Sequence, residues 1–511
     1  MTATTTTTTA FIPSPNHAAI FAWTRDAAGS AIIEAVAGSG KTTTLIQMLP
    51  LTHGFVAFMA FNKKIVEEIG AKVAKLDSSV RERVSVTTVH AAGWSAYRMA
   101  FRRVKLDAKK SGIMFDRMRG ANPLHFEFAI KAVSLAKQGG IGIFCKIDDR
   151  SAWQSMVDHF DLENILPGDG SVPTEQAIDT AIDLLRLCND NAESVADFDD
   201  MIYIPVLRGL RVDQFQWIFI DEAQDTNATR LALAKMMLCA GGRLVAVGDP
   251  AQAIYGFAGA DSESLSRIQK EFNAITLPLT VSYRCPTSVV AEAQQWVSHI
   301  IAHESAPAGS VETLESDTFW KDYAAGLNVD DFILCRNNAP LVSAAYRLLS
   351  MNVACIIEGR DIGQGLVKLA TKWKKIRTIG KLRNRLEEYC DTETAKALAR
   401  GNETRAESIA DQVGCLIVIM SNLPDDEQVS VLRSRIESMF GDCEPGQRPR
   451  CVTLSSIHKS KGRERRRVFW YGRNKYNPSP YARQDWQMEQ ERNLCYVAAT
   501  RAMESLIYIN V

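Results

Sequence analysis

The chain has 511 residues, enough for several domains, and its 46% apolar and 23% charged residues are the content of an ordinary globular protein. Its 59 basic and 59 acidic side chains cancel, so net charge does not attract a polyanion and only local basic patches could. The 11 cysteines form neither a C-x-x-C pair nor a cluster with histidines at zinc-like spacing, which favours reduced thiols over a disulfide framework.

The N-terminal end of the chain carries no targeting pattern. Residues 1–10 are rich in threonine and lack a basic stretch followed by an apolar one, which predicts a disordered tail and not a signal peptide. No apolar run in the chain approaches the ~20 residues that a membrane-spanning helix needs. We therefore expect no membrane partner.

A phosphate-binding loop is predicted at 35–42, which reads Ala-Val-Ala-Gly-Ser-Gly-Lys-Thr. An apolar run at 31–33 precedes it, and the opening turns of a helix follow it. Consecutive backbone N–H groups in such a turn, together with the helix N-terminus, form a nest for the phosphates of a nucleotide. Lys41 is then predicted on the β- and γ-phosphates and Thr42 on Mg²⁺. The strict pattern has glycine at Ala35, so a glycine-rich turn without a ligand stays the alternative.

Two further strand-like runs lead to side chains that we expect at one edge of a sheet. The run at 55–59 is followed by Phe61 and Asn62, and the run at 84–89 is followed by His90. In open α/β sheets, the carboxyl ends of the strands form the edge that faces the ligand. These three residues are therefore candidates for ligand contact.

Two basic runs carry aromatic neighbours, and the sequence leaves their role open. Residues 98–110 include six basic side chains close to Trp94, Tyr97 and Phe101. Residues 372–385 include seven basic side chains and Trp373, without an acid among them. Each run is consistent with a solvated helix face or with a contact to a nucleic-acid backbone.

Paired carboxylates follow a buried strand at 217–220. Asp221 is expected to coordinate a metal ion, and the neighbouring Glu222 to handle a water molecule. A further strand at 244–247 leads to Gln252, which is placed to sense a terminal phosphate. Tyr255 and Phe257 follow, and their rings either present faces to nucleic-acid bases or pack in a core.

A second α/β unit is predicted in the C-terminal half. A strand-sized segment at 277–281 leads to Tyr283 and Arg284, and another strand begins at Asp331. Near the C-terminus, apolar residues at helical spacing hold Arg501 at a helix end. An arginine fixed there can reach a phosphate across a cleft between domains.

In this order, the blocks resemble the motifs of superfamily 1 DNA helicases of the UvrD/Rep/PcrA type. Eight segments carry the resemblance, in the family's motif order from I to VI: 35–42, 60–63, 88–90, 221–225, 248–257, 283–284, 458–464 and 496–501. The resemblance implies an α/β fold of the P-loop NTPase class, with two RecA-like parallel-sheet domains and helical insertions.

The resemblance also implies a domain plan. The first RecA-like domain, which binds ATP, is interrupted by a helical insertion called 1B-like. The second RecA-like domain is interrupted by a reduced 2B-like helical insertion. The predicted ranges are a disordered tail at 1–10, the first RecA-like domain at 11–94 and 211–280, its insertion at 95–210, the second RecA-like domain at 281–370 and 446–511, and its insertion at 371–445.

Carried over position by position, the resemblance implies ATP and Mg²⁺ as cofactors. Catalytic roles fall to six residues: Lys41, Asp221, Glu222, Gln252, Arg284 and Arg501. Among them, Asp221 completes a metal site with Thr42, and the two arginines act as arginine fingers. The residues implied in binding ATP are His17, Ala35, Ala37, Gly38, Ser39, Gly40, Lys41, Thr42, Thr43, Tyr283, which stacks on adenine, and Glu464, which contacts the ribose.

Single-stranded DNA is the implied substrate, in 3′→5′ translocation across the top of both domains. The residues implied in binding it are Phe61, Asn62, His90, Tyr255, Phe257, Arg336 and His458. Base stacking on aromatic rings is indifferent to sequence, which suits a motor that moves along any strand.

The chain departs from the family's pattern at several positions. His17 stands where the family has a glutamine that reads adenine, which puts base selectivity in doubt. Phe257 and Ala258 replace tryptophan and arginine, and Arg463 replaces leucine. Between Arg284 and His458 lie 173 residues, too few for both the second motor domain and the family's full accessory domain.

The leading hypothesis is an ATP-dependent 3′→5′ DNA helicase of replication, repair or recombination, acting on single-stranded and 3′-tailed duplex DNA in the cytoplasm of a bacterial or phage-infected cell. One alternative is a DNA-stimulated ATPase that strips proteins from DNA and unwinds weakly without a loading or activating protein partner. Another is a binding module that does not hydrolyse ATP. The six catalytic residues argue against this module.

Overall fold

The computed structural model describes residues 13–60, 63–160, 162–166, 172–254, 264–373, 375–399, 403–441, 451–482 and 484–511. The tail predicted at 1–10 and four predicted DNA contacts, Phe61, Asn62, Tyr255 and Phe257, lie outside this set. No helix among the described residues is long and apolar enough to cross a membrane.

A six-stranded parallel sheet forms the first half of the chain. Its strand order is β3-β2-β6-β7-β1-β8, and a separate two-stranded pair, β4-β5, lies in the helical segment between β3 and β6. The strands are β1 (Ala31–Ala35), β2 (Val56–Ala60), β3 (Val84–Thr88), β4 (Lys105–Leu106), β5 (Val195–Ala196), β6 (Phe215–Ile220), β7 (Leu238–Gly248) and β8 (Ile275–Leu279).

Helices cover both faces of this sheet, as the near-continuous apolar character of its central strands requires. The first helix begins at Pro15, with the Ser14 side chain capping its N-terminus. The helices are α1 (Pro15–Asp26), α2 (Lys41–Met48), α3 (Lys63–Val73), α4 (Ser78–Arg81), α5 (Val89–Ala100), α6 (Lys110–Arg117), α7 (Phe126–Gly139), α8 (Arg150–His159), α9 (Thr174–Asp190), α10 (Asp200–Leu207), α11 (Ala228–Met237) and α12 (Ser264–Phe272).

Helices α6 to α10 pack around a core of their own, in which Phe128 and Trp153 are fully buried. A cluster of buried charges lies beside this core. The ammonium of Lys137 is 2.6 Å from the Asp197 carboxylate and 2.7 Å from that of Asp200. Lys110 is also fully buried and lies 2.6 Å from Asp200. Each buried cation is therefore paired, as the cost of burying a charge demands.

A second parallel sheet of seven strands forms the other half, in the order β11-β17-β16-β12-β15-β13-β14, and β9 and β10 form a separate pair. Its presence confirms the prediction of an α/β fold with two parallel sheets. The strands are β9 (Val281–Ser282), β10 (Ile301–Ala302), β11 (Ser310–Glu315), β12 (Asp331–Cys335), β13 (Cys355–Glu358), β14 (Phe440–Gly441), β15 (Val452–Ser456), β16 (Arg465–Tyr471) and β17 (Ala502–Asn510).

Three helices, α17 to α19, fall within the range predicted as a small insertion. Their apolar side chains Leu416 and Ile436 are fully buried in the same core as Leu454 and Phe469 of the second sheet. The helices of this half are α13 (Thr287–Ala293), α14 (Ser316–Thr318), α15 (Asn338–Ser350), α16 (Arg360–Ala370), α17 (Ile379–Ala399), α18 (Glu403–Met420), α19 (Val429–Met439), α20 (Ile457–Ser460), α21 (Arg473–Tyr476) and α22 (Asp485–Ala499).

The two halves meet at the turn that follows β1. Val36 and Ala37 are buried in an apolar cluster with residues of α22. The Ala37 N–H donates to the Tyr496 hydroxyl at 2.8 Å, and the Tyr283 N–H donates to the Gly38 carbonyl at 2.9 Å. A Cβ at Gly38 would lie only 2.6 Å from the Cβ of Arg284, so the backbones approach too closely for a side chain there.

Candidate active site

The predicted phosphate-binding loop lies between β1 and α2, in the strand–turn–helix arrangement that the sequence predicts. Gly38 and Gly40 adopt positive φ values of 74° and 81°, which only glycine adopts readily, and α2 begins at Lys41. The loop lines a cavity of about 640 Å³ that reaches from the first sheet to the second. Its backbone amides, the α2 N-terminus and Lys41 can together receive an anion.

Thr42 and the paired carboxylates converge beside this loop. The Thr42 hydroxyl donates to the Asp221 carboxylate at 2.6 Å, and Lys41 Nζ is 4.0 Å from Glu222 Oε1. Burial, followed by the charge of Glu222, raises the pKa of Asp221. Hard divalent cations prefer hydroxyl and carboxylate oxygens, and a cation here would offset that charge repulsion. Thr42 and Asp221 therefore fit Mg²⁺.

Glu222 adopts a left-handed backbone conformation, with φ 52° and ψ 46°, at the carboxyl end of β6. Its carboxylate accepts a hydrogen bond from Gln224 at 2.5 Å. Burial opposes its ionisation, yet Lys41 and Lys461 hold the pKa of Glu222 below its usual value. The Glu222 carboxylate is therefore an ionised base beside the phosphate loop.

The second half of the chain supplies two arginines to the same cavity. Arg284 forms an ion pair with Glu464, the predicted ribose contact. Arg501 is fully buried, and its Nε and Nη1 donate to the carbonyls of Val497 and Arg463 at 2.9 and 3.3 Å. Burial and the nearby Arg284 lower the pKa of Arg501 to about 10. Two arginines that line one cavity can both bind the oxygens of a polyanion.

Lys461 connects the two halves next to the cavity. Its ammonium donates to both carboxylate oxygens of Asp225, at 2.9 and 2.7 Å, and to the Gln252 carbonyl at 2.7 Å. Lys461 and Asp225 are both almost fully buried. Sequence reasoning did not assign a role to Lys461, because its partners lie more than 200 residues away in the chain.

We expect Lys461→Met to weaken the contact between the halves, because it removes charge-assisted bonds worth about 1–3 kcal/mol. The Ala37 N–H donates to the Tyr496 hydroxyl of the other half, so its hydrogen exchange measures how often the two halves separate. We expect this exchange to be roughly 5- to 150-fold faster in the variant. Lys63→Met is the matched control, because Lys63 is highly exposed. Unchanged exchange at Ala37 in Lys461→Met would contradict this role.

Two family models match the chain. The UvrD/REP helicase N-terminal domain matches residues 18–273, and the UvrD-like helicase C-terminal domain matches residues 328–511. The chain belongs to the UvrD/REP helicase family. The two matched ranges contain every motif segment named above except 283–284.

Curated relatives of this UvrD/REP family chain match about half of its length. The ATP-dependent DNA helicase PcrA of Staphylococcus aureus is 25% identical over 291 residues, which cover 53% of this chain and 38% of that protein. The ATP-dependent DNA helicase Rep of Buchnera aphidicola is 24% identical over 288 residues, with 53% and 42% covered. The chain thus spans about two fifths of the length of these curated relatives.

Among solved structures, the helicase nonstructural protein 10 of an arterivirus covers 97% of this UvrD/REP family chain. Sixty per cent of the viral chain is covered in turn, with a TM-score of 0.35 and 11% sequence identity.

The three predicted DNA contacts that lie within the described residues of this UvrD/REP family chain occupy two places. His90 opens α5 and lies near Arg230, where burial and then the charge of Arg230 lower its pKa to about 4. Arg336 and His458 line a cavity of about 370 Å³ at the carboxyl edge of the second sheet. Burial, followed by the charge of Arg336, lowers the pKa of His458 to about 3, so this histidine is neutral.

Arg336 of the UvrD/REP family chain is already paired with carboxylates of the protein. Its guanidinium binds Glu491 at 2.7 Å and Glu407 at 3.1 Å. Asp411, one turn beyond Glu407 on α18, accepts hydrogen bonds from the backbone N–H groups of Asn338 and Ala339 at 2.8 Å. The sequence did not predict the contacts of Glu407 and Asp411, because α18 carries no motif that links it to the sheet.

The departures from the family pattern have specific surroundings in the UvrD/REP family chain. Arg463 forms an ion pair with the buried Glu358. His17 is buried against the first turn of α2, with its Nε2 3.1 Å from the Thr44 hydroxyl. The replacements at 257 and 258 lie outside the described residues.

Proposed function

We propose that the chain is an ATP-dependent motor that moves 3′→5′ along single-stranded DNA and unwinds duplex DNA. One observation carries this proposal: side chains from both halves of the chain converge on a single cavity of about 640 Å³. Lys41 and Glu222 approach it from the first half, and Arg284 and Arg501 from the second. Phosphoryl transfer depends on charges placed around the phosphates, and here each half of the chain supplies some of them. ATP hydrolysis would therefore require the two halves to close on the nucleotide.

Within this proposal, each residue has one task. Lys41 holds the β- and γ-phosphates, Thr42 and Asp221 hold Mg²⁺, and Glu222 orients or deprotonates the attacking water. Bound Mg²⁺ would neutralise phosphate charge during transfer. Gln252 links the state of the γ-phosphate to the DNA-binding side of the protein. Tyr283 stacks on the base of the nucleotide and Glu464 contacts its ribose. The remaining ATP contacts are the loop residues Ala35, Ala37, Gly38, Ser39, Gly40 and Thr43.

On the DNA side, we assign contact with the strand to His90, Arg336 and His458, and to the four predicted residues outside the described set. Arg336 would reach a DNA phosphate by exchanging one of its carboxylate partners for it. We place the motor in the cytoplasm of a bacterial or phage-infected cell, in replication, repair or recombination.

The arrangement of α17 to α19 favours a narrower second candidate. Their buried side chains share the core of the second sheet, which supports a compact translocase without a separate accessory lobe in its described residues. Such a motor would remove proteins from DNA but separate strands weakly unless a loading or activating protein joins it.

Hydrolysis by the purified chain, with and without single-stranded DNA, tests the proposal. We expect DNA to stimulate hydrolysis strongly, and the absence of hydrolysis in both conditions would overturn it. Strand displacement on 3′-tailed and 5′-tailed duplexes tests direction, since activity on the 5′-tailed duplex alone contradicts 3′→5′ movement. Unwinding at the speed of translocation would exclude the second candidate.

A further inference from the structure

We propose that the nucleotide site does not discriminate between the purine bases, so that the chain hydrolyses GTP about as well as ATP. This inference rests on the proposed function, because it describes the substrate of the same site. His17 is the residue that decides it, since His17 supports the phosphate loop and does not read the base.

The hydrogen bonds of His17 use both of its ring nitrogens within the protein. The Ser14 N–H donates to Nδ1 at 3.2 Å, which makes Nδ1 an acceptor. Burial lowers the pKa of His17, so the neutral ring carries its one proton on Nε2. Nε2 lies 3.1 Å from the Thr44 hydroxyl, which itself donates to the Gly40 carbonyl at 3.0 Å.

These contacts form a continuous link from the N-terminal cap of α1 to the phosphate-binding loop. Ser14 caps α1, His17 connects the cap to Thr44, and Thr44 contacts the carbonyl of Gly40, the residue directly before Lys41. His17 is therefore a positioning residue for the phosphate loop. A nitrogen engaged in this link is not available to the edge of a base.

Tyr283 provides the surface on which a base can lie. Its backbone N–H donates to the carbonyl of Gly38, which lines the nucleotide cavity, so Tyr283 lies next to the phosphate loop. Tyr283 is 41% exposed, although its ring centroid lies 4.6 Å from that of His303 and 6.0 Å from that of His17. Stacking on an aromatic ring tolerates every base, because every base has a π-face.

Discrimination between adenine and guanine needs hydrogen bonds to the base edge. Position 6 of adenine carries a donor and that of guanine an acceptor, and a glutamine amide can bind adenine N6 and N7 together. Such a pair discriminates by roughly 5- to 150-fold. Because His17 already uses both ring nitrogens, it offers no such pair to a base, and on the described residues we expect the site to lack this discrimination.

The test compares kcat/KM for ATP and GTP on the same single-stranded DNA. We expect the two values to differ by less than about fivefold, the lower limit of one bidentate base contact. A larger preference for ATP would overturn the inference and leave the motor intact. Hydrolysis of neither nucleotide would instead remove the proposed function.

Two variants assign the effect to residues. His17→Gln should raise the preference for ATP over GTP by roughly 5- to 150-fold, because the amide supplies both a donor and an acceptor. An unchanged preference in folded His17→Gln would show that position 17 does not determine selectivity. Tyr283→Ala should raise KM for ATP and GTP by the same factor, and a rise for ATP alone would contradict a stack that is indifferent to the base.

Discussion

Replacement of Glu222 by glutamine is expected to lower kcat for DNA-stimulated ATP hydrolysis by about 10²- to 10⁴-fold, the contribution of a positioned general base. Lys41 and Lys461 keep this carboxylate ionised in spite of its burial. Glutamine has nearly the same shape but cannot accept a proton from water. Steady-state hydrolysis in saturating single-stranded DNA measures the effect.

Binding measurements separate this chemical role from a loss of structure. Glu222→Gln should retain nucleotide affinity, because Lys41 and the backbone of the phosphate loop still hold the phosphates. Glu67→Gln is the matched control, since Glu67 is exposed and lies outside the cavity. Near-normal hydrolysis by Glu222→Gln would show that another group handles the water.

The second large effect concerns stability. Lys137→Met is expected to destabilise the α6–α10 region by about 3–5 kcal/mol, because breaking a buried ion pair leaves an uncompensated charge. Although burial disfavours the charge of Lys137, Asp200 and Asp197 raise its pKa well above the usual value. The substitution would leave these two carboxylates close together without that cation.

Hydrogen exchange of the α7 and α9 amides measures the opening free energy of this region within the intact chain. Lys396→Met provides the control, because Lys396 is half exposed and its pair with Glu393 should contribute only about 0–1 kcal/mol. Equal exchange in Lys137→Met and the wild type would mean that the buried pairs do not hold these helices together.

The sequence predicts the elements around the phosphate loop well, because the relevant signals are local. The apolar run at 31–33 predicts β1, and the glycines that follow it mark the turn. Asp221 directly follows β6, as an apolar run ending in a carboxylate indicates. These features need only neighbouring residues to form.

Long-range pairing is what the sequence does not predict. The run at 98–110 suggests either a solvated helix face or a nucleic-acid contact, and both interpretations are wrong for Lys110. This lysine is fully buried against Asp200, 90 residues away. The same limit hides the contact of Lys461 with Asp225, since charge alone does not reveal which opposite charge the fold will bring near.

The shared core of α17 to α19 and the second sheet also limits how the protein can be shortened. Removing 371–445 would take Leu416 and Ile436 out of the core that they share with Leu454 and Phe469. We therefore expect the shortened chain to expose apolar core surface to water and to aggregate. For protein engineering, this half of the chain is a single unit that cannot be trimmed at its middle.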